Sequence, residues 1–176
     1  MTNGSFEITG TKEEGKTVEL KNMTLSGASE MGLYGNNGLS WLCDSMTFIQ
    51  CGGSGVSAWN TKGRLINCAI TQCRVSGIFC GSNALVELEG DQTKVDGNDT
   101  SGFGYGLFTY DTSSIIHLLF PLTKNSVSTN NNGGRNYNSS GTIQTVNTLT
   151  TLCTYKPSDD MKEEDNTGER KHSTNN

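Results

Sequence analysis

The chain has little proline, little apolar mass and no long hydrophobic run. Only two of its 176 residues are proline, and 32% are hydrophobic. No stretch reaches the roughly 20 apolar residues that a membrane-spanning helix needs, and no charged-then-apolar segment typical of a secretion signal stands near its start. We therefore expect a cytoplasmic protein that contacts no membrane.

A basic surface is also missing. The net charge is −5; residues 1–156 carry 10 basic and 12 acidic side chains, and residues 157–176 carry 3 basic and 6 acidic ones. Nucleic-acid binding depends on lysines and arginines that neutralise phosphates, so we predict no nucleic-acid partner. We interpret 1–156 as a single domain and 157–176 as a disordered acidic tail.

Glycine is abundant, with 22 residues, and it is accompanied by many Asn, Ser and Thr. This composition disfavours helices and is typical of short strands joined by tight turns. Six cysteines occur, at positions 43, 51, 68, 73, 80 and 153. An even count is compatible with a disulfide set, but no secretion signal supports one and no C-x-x-C metal pair is present. We predict free, buried thiols that pack as small apolar side chains.

A short motif recurs at a nearly fixed interval. Met23-Thr24-Leu25, Met46-Thr47-Phe48 and Cys68-Ala69-Ile70 are equivalent, at steps of 23 and 22 residues. Thr93-Lys94-Val95 is a fourth copy, and a degenerate fifth starts near Val127. Such a period is the signature of a solenoid, in which each turn stacks only on its neighbours.

Superposing the copies gives columns of equivalent residues. Apolar residues alternate with polar ones, which predicts strands with one buried face. The inward column of the first strand is Leu25, Phe48, Ile70 and Val95. A column of small or amide residues follows, comprising Ala28, Cys51, Cys73, Asn98 and Asn130. The next column is glycine, at Gly32, Gly55, Gly77 and Gly106, and each glycine precedes an inward aliphatic residue, Leu33, Val56, Ile78 or Leu107.

These columns predict an all-β fold, a single-stranded right-handed parallel β-helix of about five rungs. The fourth rung carries an insertion between Asn98 and Gly106. We expect a further strand at Ile115 to Leu119, a loop at Asn130 to Ser140, and one or two closing strands within Thr142 to Tyr155.

The pattern apolar-x-apolar, then Cys or Asn, then Gly-aliphatic resembles the right-handed parallel β-helix repeat of pectate-lyase-like proteins and of some F-box proteins. Thr93-Lys94-Val95 with Asn98, Tyr105-Gly106-Leu107, and Pro121-Leu122-Thr123-Lys124 are similar to segments of uncharacterised β-helix proteins of large algal DNA viruses. The resemblance covers roughly residues 18–146. It implies the fold, which hosts lyases, hydrolases, epimerases and passive binding surfaces alike.

Side chains suited to catalysis are few. The β-helix enzymes that the chain resembles in fold use clustered aspartates, a Gly-His-Gly segment or an Asp-Pro-His segment, and none of these arrangements is found in this chain. Of the two histidines, His172 lies in the tail and His117 alternates with apolar residues on a strand, which is typical of a surface histidine. Asp96 and Asp99 have the chemistry for a hard cation, but their spacing matches no known loop and favours an ordinary turn. We predict no catalytic residues, no cofactor and no metal, and we favour a protein without enzymatic activity.

The residues after the inward aliphatic column should point outward, because side chains alternate along a strand. Aromatic residues are frequent there and two positions later. Because adjacent rungs lie about 4.8 Å apart, these aromatic residues should form one patch. The predicted binding face consists of Tyr34, Trp59, Phe79, Phe108 and Tyr110. Three alternatives stay open: a register shifted by one residue that buries the rings, a C-terminal segment that covers them, and aromatic pairing that serves the sheet alone.

The sequence thus favours a non-catalytic binding or structural module that presents this face to a protein or a glycan. A polysaccharide-active enzyme on the same face is the alternative, and a virus-particle component that associates with itself is a third.

Overall fold

The computed structural model describes residues 4–11, 15–150 and 152. It is an all-β parallel solenoid, as the columns predicted, and its 17 described strands form three sheets. The first sheet contains β1 (Phe6–Thr9), β4 (Leu33–Asn36), β7 (Val56–Trp59), β10 (Ile78–Gly81), β13 (Leu107–Thr109) and β16 (Tyr137–Ser139). The second contains β2 (Thr17–Lys21), β5 (Ser40–Asp44), β8 (Lys62–Ile66), β11 (Leu85–Glu89), β14 (Ile115–Leu119) and β17 (Thr142–Val146). The third contains β3 (Thr24–Ser26), β6 (Thr47–Ile49), β9 (Ala69–Thr71), β12 (Lys94–Asp96) and β15 (Ser128–Thr129).

The chain visits the three sheets in turn, so each rung contributes one strand to each sheet. Five rungs are complete, and β16 and β17 form two sides of a sixth. Neighbouring strands of the three sheets run parallel. A short helix, α1 (Lys124–Val127), precedes β15, and a 3-10 turn spans Asn132–Gly134.

The predicted register is confirmed. Ile78 pairs with Val56 on one side and with Leu107 on the other, and all three side chains are fully buried. The column Leu25, Phe48, Ile70 and Val95 is likewise buried. These stacked aliphatic columns make one continuous core along the solenoid axis, because each rung removes the apolar face of the next from water.

The glycine column permits this close stacking at the corner before the first sheet. A Cβ built on Gly77 would lie 2.3 Å from the Val95 side chain and 2.7 Å from the Gly106 carbonyl oxygen. No other residue fits that space without moving the neighbouring rung.

The corners between the second and third sheets use the left-handed backbone region instead. Asn22, Ser45 and Asn67 occupy equivalent corners with φ of 55°, 54° and 50°. One residue in this conformation redirects the strand, and asparagine tolerates it better than most residues.

A left-handed residue at the corner after the third sheet also corrects the position of one predicted inward residue. Asn130 adopts φ 52° and its amide donates to Asp96. Asn131 takes the inward place, is fully buried, and accepts from the backbone N–H of Asn98 at 2.8 Å. The rung that contains it is one residue longer before this corner than the sequence columns assumed.

Two further expectations concern the C-terminal part. The strand at Ile115 to Leu119 is confirmed, and β17 provides one closing strand. The expectation of a loop throughout Asn130 to Ser140 is wrong, because Tyr137–Ser139 forms β16 on the exposed edge of β13. The edge strand supplies the hydrogen-bonding partners that this glycine- and asparagine-rich segment lacks by itself. The predicted tail at 157–176 lies outside the described residues.

The five cysteines among the described residues, Cys43, Cys51, Cys68, Cys73 and Cys80, are buried and free, as predicted. Cys153 lies outside the described part of the chain. Among the residues described, no helix is long and apolar enough to cross a bilayer.

Candidate binding face

The outer surface of the first sheet carries the predicted aromatic residues, here called the aromatic face: Tyr34, Trp59, Phe79, Phe108 and Tyr110. Phe79 pairs with Phe108 across β10 and β13, and Gly81 of β10 pairs with Trp59 of β7. These neighbours in the ladder bring together side chains that are separated by 20 to 30 residues in the chain. A register shifted by one residue, the first alternative, is therefore excluded.

Four of the rings form a contiguous cluster. Trp59 stacks on Phe79 with ring centroids 5.1 Å apart, and Phe79 meets the edge of Phe108 at 5.3 Å. Tyr110 lies 6.1 Å from Trp59 and 5.9 Å from Phe79, and 58% of its surface is exposed. Offset and edge-to-face contacts of this kind stabilise the cluster while its outer surface stays in solvent.

Ser57 interrupts the aromatic column between Tyr34 and Phe79, and this small residue creates a groove. The Trp59 indole N–H donates to the Ser57 hydroxyl at 3.1 Å, which fixes the ring beside the gap. The resulting apolar groove has a volume of about 410 Å³ and is lined mainly by apolar atoms. Its walls include Met31, Tyr34, Trp59, Val75 and Phe79.

Tyr105 extends the face and was not predicted from the sequence. Its ring centroid lies 5.3 Å from that of Phe108, and the Arg135 guanidinium carbon lies 4.4 Å above the Tyr105 ring. Arg135 also donates to the carbonyl oxygens of Gly102 and Gly104, both at 2.9 Å. The insertion in the fourth rung thus packs beside the aromatic face. The sequence signal for this extension was Tyr105 itself, an aromatic residue directly before Gly106.

Two acidic groups at the end of the face that carries Tyr105 and Tyr110 are already engaged. Asp99 is fully buried, accepts from the Gly104 backbone N–H at 2.7 Å, and pairs with Arg135 at 3.0 Å. Asp111 accepts from Ser113 and from the Ser82 backbone N–H, and these hydrogen bonds lower the pKa of Asp111 to about 2. A carboxylate with so low a pKa does not serve as a general acid near neutral pH.

The residues weighed for metal binding or catalysis lie elsewhere. Asp96 accepts from Thr129 and Asn130 at 2.7 and 2.8 Å. It is the last residue of β12, so it lies at the end of a strand and not in the turn that the sequence favoured. Within the described residues, no group of three or more His, Cys, Asp and Glu side chains is placed to hold a metal ion. His117 lies on the outer surface of the second sheet, where its ring nitrogens neighbour Glu87 and Gln144 at 3.9 and 3.2 Å.

The described part of the C-terminal segment does not cover the rings, which was the second alternative. Thr148, Leu149 and Thr150 line a space on the second sheet, together with Leu152. Of the described C-terminal residues, these four lie against the second sheet, whereas the rings are on the first.

Comparison of the chain with protein-family models, with curated proteins and with solved structures finds no match in any of the three. Fold and side-chain geometry therefore carry the functional argument. They define the chain as a parallel β-solenoid with an aromatic outer face.

Proposed function

We propose that the protein is a non-catalytic binding module whose aromatic face docks onto a protein partner. The observation that carries this proposal is the cluster of outward rings beside a largely apolar groove of about 410 Å³. Aromatic residues are enriched at the centres of protein interfaces, where one large side chain fills a pocket of the partner or borders one.

The geometry favours a protein over a glycan in two ways. Sugar rings stack on aromatic rings that present a common plane, whereas Phe108 stands at 85° to both Phe79 and Tyr110. A bound sugar also needs hydrogen-bonding partners for its hydroxyls, and the groove offers mainly carbon. An apolar side chain of a protein partner requires neither feature.

The resemblance to pectate-lyase-like proteins and to β-helix proteins of algal viruses adds two subsidiary expectations. The former raises the polysaccharide-active enzyme as a competitor, and the latter raises assembly into a particle. The binding proposal is preferred because Asp99 and Asp111, two acidic groups at the end of the face that carries Tyr105 and Tyr110, are both held by hydrogen bonds.

A peptide and glycan binding experiment tests the proposal. A phage-displayed library of random peptides and a glycan array are both probed with the parent protein and with a Trp59→Ala/Phe108→Ala double variant. Phe120→Ala serves as the control, because Phe120 is 68% exposed and is not one of the clustered rings. We expect apolar peptides to be enriched by the parent and by the control, and enrichment to be lost in the double variant.

Other outcomes would reassign the function. Array binding that the double variant loses would assign a glycan as the ligand. A blank result in both assays, with concentration-dependent self-association, would favour a particle component. Release of unsaturated sugar from pectin or alginate would overturn the non-catalytic assignment.

A further inference from the structure

The outer surface of the second sheet is covered by part of the chain itself. Residues 148–150 and 152, here called the strap, follow β17 and lie across the sheet, and Leu152 is only 7% exposed. The backbone N–H of Thr150 donates to Glu87 Oε1 at 2.7 Å, and its carbonyl oxygen accepts from Arg64. Two side chains thus bind both backbone groups of one strap residue.

Glu87 and Arg64 are adjacent in the ladder, at neighbouring positions of β11 and β8. Glu87 is fully buried although it points outward, and Arg64 donates to its Oε2 through Nε at 3.2 Å and through Nη2 at 2.8 Å. The pair recognises a peptide unit, which every residue possesses, rather than the threonine side chain. Its chemistry therefore suits any extended segment that crosses the sheet at this point.

The strap occupies this surface incompletely. A space of about 720 Å³ remains between strap and sheet, and it is lined in part by Leu42, Arg64, Glu89 and Leu119. Two buried polar atoms beside Glu87, His117 Nδ1 and Thr150 Oγ1, have no hydrogen-bond partner among the residues that the structure describes. Unfilled volume and unpaired polar atoms both lower the stability of a contact, so a bulkier segment would fit better than the strap does.

The charges around the space indicate what such a segment carries. The charge of Arg64 is matched by Glu87, and Lys21 lies 2.8 Å from Glu19 at the exposed edge. Among the described residues that line the space, Glu89 is then the carboxylate without an ion pair, and a basic side chain complements it.

We propose that the outer surface of the second sheet is a binding site for an extended peptide segment of a partner protein, bearing bulky apolar residues and a basic one. The strap is its intramolecular competitor. This site is separate from the aromatic face, and the proposal does not depend on the function assigned to that face.

Fluorescence anisotropy with two labelled peptides tests the proposal on the full chain. One peptide copies residues 146–152 (Val-Asn-Thr-Leu-Thr-Thr-Leu), and the other carries lysine at the position of Thr148. We expect saturable binding of both, with the lysine peptide bound about tenfold more tightly. Leu149→Ser should strengthen the binding of both peptides, because it weakens the strap that competes with them.

Two variants locate the binding. Glu87→Gln should abolish peptide binding. If Glu87→Gln does not fold, Leu42→Ser takes its place as the test; this variant leaves the ion pair intact and should weaken peptide binding severalfold. Phe79→Ala, on the first sheet, should leave peptide binding unchanged. This control shows whether the peptide binds the second sheet, independently of whether the aromatic face binds a protein.

Absence of saturable binding to both the parent and Leu149→Ser would overturn the proposal, and so would equal binding by Leu42→Ser and the parent. A parent dimer that the strap peptide dissociates would overturn the partner assignment, because the occupant would then be the strap of a second copy.

Discussion

Ile78 and Phe79 are consecutive residues of β10, yet their side chains lie in opposite environments. Ile78 is fully buried between Val56 and Leu107, whereas Phe79 contacts Trp59 and Phe108 on the outside. Strand alternation alone accounts for this difference.

We predict that Ile78→Asp destabilises the protein far more than Phe79→Asp. The first places an unpaired charge in the core and should cost more than about 4 kcal/mol, which is enough to prevent folding of many domains. The second removes ring contacts at the surface and should cost about 1–2 kcal/mol. Urea unfolding followed by circular dichroism measures both, and the reverse order would contradict the observed register.

Individual buried cysteines also make the stability of the protein depend on pH. Burial raises the pKa of Cys68 from 9.0 to about 11 and that of Cys80 to about 12. Above pH 9.0 the unfolded thiols lose their protons while the folded ones keep them, so the folded chain binds the protons more tightly.

We therefore predict that the free energy of unfolding contributed by these thiols is fully present below pH 9.0. It should be lost progressively as the pH rises toward 11 and 12. Cys68 alone should account for about 2–3 kcal/mol of this loss. The measurement is urea unfolding across this pH range with the parent and Cys68→Ala, whose profile should be flatter. Parallel profiles would show that Cys68 does not contribute.

At the scale of an element, the second sheet combines an inner apolar surface with an outer ion pair. Arg64 and Glu87 are 23 residues apart in the chain and meet only because β8 and β11 are neighbours in the ladder. The strap then removes Glu87 from water, so the carboxylate depends on its partners.

A double-mutant cycle on this pair should show strong coupling. Arg64→Met leaves a buried carboxylate without its cation and should destabilise the protein by about 3–5 kcal/mol. Arg64→Met/Glu87→Leu removes both charges and should recover most of that loss, because an apolar pair of similar size needs no charge partner. Urea unfolding gives the four free energies. Additive effects would mean that the pair stabilises neither the sheet nor the strap.

The whole molecule is a stack in which contacts run between neighbouring rungs. Trp41 shows how far this coupling reaches. Its fully buried ring fills the space left by glycines on the same rung and the next, and a Cβ built on Gly63 would lie 2.0 Å from it.

We predict that deleting one complete rung, residues 24–46, leaves a cooperatively folded protein. The new junction joins Met23 to Thr47, which are consecutive positions of the repeat, so the register is preserved. The melting temperature should fall, because a rung and the Trp41 packing are lost. Deleting residues 24–40 instead puts the rungs out of phase and should abolish the cooperative thermal transition. A shortened chain that is unfolded in both cases would show that the rungs are not interchangeable.

Much of this architecture follows from local regularities in the sequence. Repeat length and strand alternation determine which residues face the core, because both properties depend on residues close together along the chain. The inward position of Ile78 and the outward positions of Trp59, Phe79 and Phe108 were therefore predictable. The aromatic face follows from them once rungs stack in register.

Tertiary structure decided what the repeat does not contain. The place of Tyr105 under Arg135 depends on how two loops fold against each other, and the strand at Tyr137–Ser139 depends on the open edge of β13. The inward position of Asn131 depends on the length of a single rung. The burial of Glu87 depends on a segment more than 60 residues away that crosses the second sheet. Such contacts arise from long separations and from the ends of the repeat, where no periodic signal exists to reveal them.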